Sequence, residues 1–420
     1  MTSSLTISAL DRDILRRLAG RVAEAAHDPV MAERERLWRL EASLRPERPM
    51  VLAETMGLVL ELYPESSLTC QTPQTRALER QLTDTVFRYE HVADDWVISP
   101  WFDLPWQIDL GDWGVPVNKI SGDNEGHLAS YVWDPPIKDL DRDMAKLHHR
   151  HFSVDREATL AQKQALNTLF GDLLPVRIRG AAYWTMGLTW RAIDLIGMEK
   201  LMLAMYDNPD GLRALLAFLR DDHMALVDWL EKEHLYTLNN EADYVGSGAI
   251  GYCDEMPQAD WSEGDPVRAS DLWVLSESQE TVGVSPKLFA EFILPYQLPL
   301  IERFGLCYYG CCEPIHARWP YLKDIPNLRR LSISPWCDQA YMAEALGSDF
   351  IFCRKPNPAL ISRTVWDEEA IRADIAETLE TTRGCVLEFA MKDVHTLAGE
   401  DWRLGRWVEI AREEIDRLFG

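Results

Sequence analysis

Apolar residues recur at helical spacing over 7–24, where Leu10, Ile14, Leu18 and Val22 make one stripe behind a variant capping box at residues 8–11. Asp28-Pro29 opens a second helix carrying Leu37, Leu40 and Leu44. Residues 49–54 read as a first strand that ends in Glu54-Thr55, and 176–183 as a later one. Between them, 60–160 has no sustained period. Asn208-Pro209 caps a long helix running to Glu233, with Leu212, Leu215, Leu219, Val227 and Leu230 inward. Ser285-Pro286 starts another, on which Leu288, Phe289, Phe292, Ile293, Tyr296 and Leu300 share a face.

From 306 onward the period changes and a unit repeats. Short apolar strands at 306–309, 330–333, 349–353 and 385–390 alternate with helical pieces at 319–324, 342–346 and 366–381. Strands separated by helices at this spacing form a parallel sheet. Each strand body is apolar, and each C-terminal end carries polar or sulfur-bearing residues: Cys311-Cys312-Glu313, Cys337-Asp338, Arg354-Lys355 and Lys392-Asp393-Val394-His395. In a β/α barrel the chemistry sits on that end.

The run SPKLFAEFILPYQLPLIERFG, the cysteine-bearing strand end and the later KPNPALI resemble the uroporphyrinogen decarboxylase superfamily, in order more than in wording, over roughly 176–415. The resemblance implies a TIM (β/α)8 barrel over 46–420, preceded by a helical extension at 1–45 and interrupted by an aromatic-rich insertion. It also implies methyl transfer of the superfamily's zinc type, between a small methylated substrate and a thiol or a corrinoid carried by a partner protein. Zinc members use a His-x-Cys pair where this chain has Gly310 and Cys312, so Cys312, Cys311 and the later Cys337 become the candidate ligands. Cys311 can replace the missing histidine only with a changed backbone, because adjacent strand residues point to opposite faces.

Composition narrows the setting. With 43 basic and 68 acidic residues the net charge is -25, which argues against nucleic acid or an anionic membrane surface as partner. A tetrapyrrole bearing many carboxylates is disfavoured for the same reason. Eight unevenly spaced cysteines do not form a disulfide framework, and neither a signal peptide nor a spanning segment is recognisable, so a cytoplasmic location is expected.

Four tryptophans crowd into WVISPWFDLPWQIDLGDWG. They pack on neighbours or wall a flat or cationic ligand, Trp101 and Trp106 being the candidate contacts, and their apolar area leads us to expect a homodimer. His148, His149 and His151 read as a solvated basic turn. Gly246-Ser247-Gly248-Ala249-Ile250-Gly251 matches a dinucleotide fingerprint in letters only; with no helix following, it reads as a flexible close-approach loop over the mouth.

The strand ends near Glu54, Glu241, Cys312, Asp338, Lys355 and Asp393 should therefore converge on one face. Lys355, Glu241 and Asp393 are candidate catalytic groups, and Glu54, Asp338, Lys392 and His395 candidate substrate contacts. Two further classes stay open: a metal-free decarboxylase or lyase using Glu241 and Asp393 as acid and base, and a non-catalytic barrel that binds a partner protein.

Overall fold

The computed structural model describes residues 7–121 and 131–419. It is a TIM-barrel-like α/β fold. Eight strands carry it, every pairing among them parallel: β1 (Met50–Ala53), β2 (Phe102–Leu104), β3 (Val176–Ile178), β4 (Trp273–Ser276), β5 (Leu306–Tyr309), β6 (Leu328–Ile333), β7 (Ile351–Arg354) and β8 (Val386–Met391). Six of them form one sheet in the order β1-β8-β7-β6-β5-β4, and β2 pairs with β3. Every residue of β1, β4, β5, β7 and β8 is buried, as expected for strands covered on both faces.

The rest of the circuit is stitched by side chains. Along β1, the Asp95 carboxyl accepts from Val51 N at 2.8 Å, Asp94 accepts from Ala53 N at 2.9 Å, and Asp95 N donates to Val51 O. On the other side, the Asn239 amide brackets the Trp273 backbone at 2.9 and 3.0 Å, and Gly180 N donates to Thr237 Oγ1. Carboxyl and amide groups thus satisfy strand edges that would otherwise be bare.

The two N-terminal helices are Ala9–Ala26 and Pro29–Ala42, capped by Ser8 and Asp28. The second closes the floor of the barrel. Glu41 reaches Arg330 at 2.8 Å, and Ala42 O accepts from Arg329. The long helix is Pro209–Lys232. The helix expected from Ser285 to Leu300 is split into Pro286–Phe292 and Leu294–Ile301, because Pro295 has no N–H to donate back into the preceding turn. Sequence periodicity missed β4, a four-residue strand in loop-rich surroundings. It also missed the helices Pro73–Phe87 and Arg156–Phe170 inside the supposedly irregular stretch.

The Trp-rich insertion is not a free aromatic wall. Each indole faces an arginine of the chain itself: Trp96 with Arg88 at 4.0 Å, Trp113 with Arg150 at 4.8 Å, Trp106 with Arg156 at 5.4 Å and Trp101 with Arg177 at 5.6 Å. Trp101 is the one of these four left exposed. The His148–151 turn is solvated at its histidines, but Arg150 turns inward onto Asp222 at 2.6 Å.

The GSGAIG segment departs most from expectation. Tyr244 and Ile250 form an antiparallel bridge, Val245 N donates to Ala249 O, and residues 245–253 are all buried. The hairpin runs up the lumen of the barrel. Its base meets Trp273, Arg330 and Arg39 near the starts of the strands, and its tip, Ser247-Gly248, meets residues at the strand ends. It is a plug, not a flexible cover. Glycine is required at 246, where a Cβ would run into the Tyr308 ring, and at Gly248, whose φ is +86°.

Candidate active site

β5 ends at Tyr309, and Gly310 at φ +97° turns the chain through a bend. Glu313, fully buried, fixes that bend by accepting from Cys311 N at 2.8 Å and Ser278 N at 2.9 Å. The alternation of a strand is broken here, so the neighbouring sulfurs of Cys311 and Cys312 lie on one side, 3.6 Å apart. Cys311 is buried and Cys312 exposed.

Ser247 at the plug tip is the hub. Its hydroxyl donates to Cys311 Sγ at 3.2 Å and accepts from Lys392 Nζ at 2.9 Å. Its carbonyl accepts from Lys355 Nζ and from Tyr308 OH. Lys392 lies 3.2 Å from Asp393 Oδ1 and 3.9 Å from Cys311 Sγ, and Cys312 Sγ is 3.6 Å from Asp393 Oδ2. Asp393 holds a left-handed φ of +56° and is exposed. Lys355 also donates to Cys353 Sγ at 3.0 Å.

The two thiols share a proton unequally. The hydrogen bond from Cys312, then the Lys392 ammonium and the Ser247 hydroxyl, hold Cys311 below the ordinary thiol value despite burial. Cys312 is pushed up by the neighbouring Cys311 sulfur, and by burial, so it keeps the proton. Burial alone would lower Lys392; Cys311, Asp393 and Glu54 outweigh it and raise the group, so it stays an ammonium. Behind this lies Glu277, fully buried, which burial and then the charges of Glu280 and Glu313 raise well above the ordinary carboxyl value.

Of the residues singled out from sequence, Cys311, Cys312, Lys392, Asp393 and Lys355 come together. Glu54 joins them from β1, close to where Lys355 Nζ approaches Gly248. Asp338 and His395 lie on the exposed rim. Asp338 caps the helix Gln339–Leu346 and donates its N–H to His316 Nδ1 at 3.2 Å, while His395 is close to Gly57. Glu241 does not converge. Its carboxyl is bound by Arg177 at 2.6 Å and lies 3.5 Å from Arg179, and its carbonyl accepts from Gly251 N at the plug base. Trp101 and Trp106 stay with Arg177 and Arg156, away from the plug tip; the exposed indole on the rim is Trp336, after β6. Ser247 and Glu277 were missed. The small residues at 246–249 were the available sign of a tightly threaded segment.

A zinc ion of the kind the superfamily resemblance implies does not fit these donors. Cys337 lies buried among apolar neighbours with Ser334 Oγ 3.9 Å from its sulfur. Lys392 already places a positive charge between Cys311 and Asp393. Among the described residues, no group of three or more His, Cys, Asp or Glu is arranged to hold a metal ion.

No family model matches the chain, and no curated protein does. Among solved structures it is similar to a methyltransferase from Methanosarcina mazei, at 12% identity and a TM-score of 0.48, over 92% of this chain and 99% of that one. So remote a likeness leaves function to be argued from the site. Among the described residues, no helix is long and apolar enough to cross a membrane.

Proposed function

We propose that the barrel mouth transfers a methyl group from a small methylated substrate to an acceptor, either a thiol or a corrinoid carried by a partner protein. The observation that carries this reading is the Cys311 sulfur at the strand ends, which accepts from Ser247 beside Lys392 and which the Cys312 hydrogen bond, then Lys392 and Ser247, hold below the ordinary thiol value. A thiolate is a strong nucleophile toward an alkyl carbon. Its lone pair attacks the methyl carbon, the bond from methyl to the substrate heteroatom breaks, and that heteroatom leaves with the electron pair. Once methylated, Cys311 no longer holds the Cys312 proton, and the Cys312 thiol, 3.6 Å from both Cys311 Sγ and Asp393 Oδ2, is then placed to protonate the leaving heteroatom. Attack by the acceptor on the same methyl then returns the electrons to Cys311, where Lys392 again faces the charge, and Cys312 regains its proton from the thiol acceptor or, with a corrinoid acceptor, from solvent.

An acid–base lyase built on Glu241 and Asp393 is less well supported, since Glu241 is engaged at the other end of the plug. The test is to incubate the protein with isotopically labelled methoxyaromatic, methylamine and methylthioether donors. The label is then sought on the peptide containing Cys311. We expect a methyl group on Cys311 in the wild type and none in C311S. Donor demethylation that proceeds equally well in C311S would overturn the proposal.

A further inference from the structure

We propose that Cys311 and Cys312 form an oxidative modification site, at which the adjacent thiols close reversibly to a disulfide under a low-molecular-weight disulfide. This does not depend on the reaction proposed above. Three observations support it. The sulfurs already lie 3.6 Å apart on the same side of the bend. Cys312 is exposed, whereas Cys70, Cys253, Cys307, Cys311, Cys337 and Cys353 are buried and Cys385 is half-buried, so an oxidant in solution meets Cys312 first. Cys311, behind it, is held by Ser247 and Lys392 with its sulfur turned toward Cys312.

The chemistry balances in two exchanges. Cys312 passes its proton to the Cys311 sulfur 3.6 Å away and attacks one sulfur of the oxidant, forming a mixed disulfide and releasing one thiolate, which solvent protonates. Cys311 then attacks the Cys312 sulfur, and the second thiol leaves after taking up a proton. Overall, two protein thiols are oxidised and one small disulfide is reduced to two thiols.

The product is easily reversed for a geometric reason. Neighbouring Cα atoms across a trans peptide are about 3.8 Å apart, shorter than the roughly 4.4–6.8 Å that relaxed disulfides span. A ring closed between adjacent residues is therefore strained and readily reduced, which suits a switch rather than a structural staple. The bend after Gly310 can absorb the closure without displacing β5, which ends at Tyr309. Closure also removes Cys311 as a nucleophile from the network at the plug tip.

The experiment treats the full chain with oxidised glutathione, reads the intact mass, maps the peptide containing both cysteines, and then adds dithiothreitol. We expect the wild type to lose two hydrogens, localised to Cys311 and Cys312, and dithiothreitol to restore them. C311S should stop at a single glutathionyl adduct on Cys312, and C312S should gain no adduct at this peptide. Wild-type protein that halts at the same stable adduct as C311S, or that is modified only at Cys385, would overturn the proposal. Because the wild-type mass and its reversal suffice alone, poor folding of either variant leaves the test intact.

Discussion

The two ends of the luminal hairpin carry buried charge of similar density and use it differently. At the base, Arg330 is fully buried, bonded to Glu41 and to Ile250 O and 3.3 Å from Glu388. Burial, then Glu388, raise Glu41 well above the carboxyl range, with Arg330 opposing. All three charged side chains, Arg330, Glu41 and Glu388, are sealed. At the tip, Lys355 and Lys392 are also buried, but the cluster opens to solvent through Cys312 and Asp393. Buried charge alone does not mark a site. Charge beside a reactive, reachable atom does, and the plug separates the two by filling the lumen between them.

The largest contrast should come from the base. Arg330→Met leaves Glu41 and Glu388 facing each other without their cation. It should cost on the order of 3–5 kcal/mol in chemical denaturation while leaving the Cys311 titration midpoint of the folded fraction unchanged. A change at the tip in that variant would show that the ends are coupled.

The plug itself is next. Gly246→Ala drives a methyl into the Tyr308 ring and should cost about 1–3 kcal/mol as an overpacked core. It should also loosen the tip, seen as a rise in the Cys311 titration midpoint.

Much of this was legible in the sequence and some was not. The C-terminal strands and the gathering of Cys311, Lys355 and Lys392 follow from short apolar runs with polar ends, and the caps at Ser8, Asp28 and Asn208 from side chains that accept from the first turn. The plug was not legible, because a glycine-rich segment threaded through a barrel and one lying over it have the same local composition. Glu241 was misplaced for the same reason: its position depends on the hairpin's path, not on its neighbours in sequence. The shared face of Cys311 and Cys312 depends on the left-handed turn at Gly310, which alternation along an ideal strand excludes.

A third prediction separates the ends by pH. Glu41 has a folded pKa above its unfolded value, so the native state binds the extra proton. Its favourable contribution is present below the unfolded value, about 4.3, and is lost as pH rises through the folded one. Glu41→Gln should flatten that decline in a series of denaturation midpoints without moving the Cys311 titration. An unchanged slope would mean that the carboxyl is ionised in the fold.

The smallest effect on stability should come from Ser247→Ala. Removing one hydroxyl from the relay should cost about 1 kcal/mol, yet it should raise the Cys311 midpoint because both the Ser247 hydroxyl and the bridge to Lys392 are lost. A stability loss with no change in titration would make Ser247 a packing residue only.

The most direct test is the ultraviolet thiolate titration of the folded wild type, with the C311S titration subtracted. The structure predicts one thiolate whose midpoint lies below the ordinary thiol value near 8.5, and which shifts upward in Lys392→Met. A difference curve with its midpoint at or above that value, unaffected by Lys392→Met, would contradict the claim that the plug tip holds Cys311 as a nucleophile.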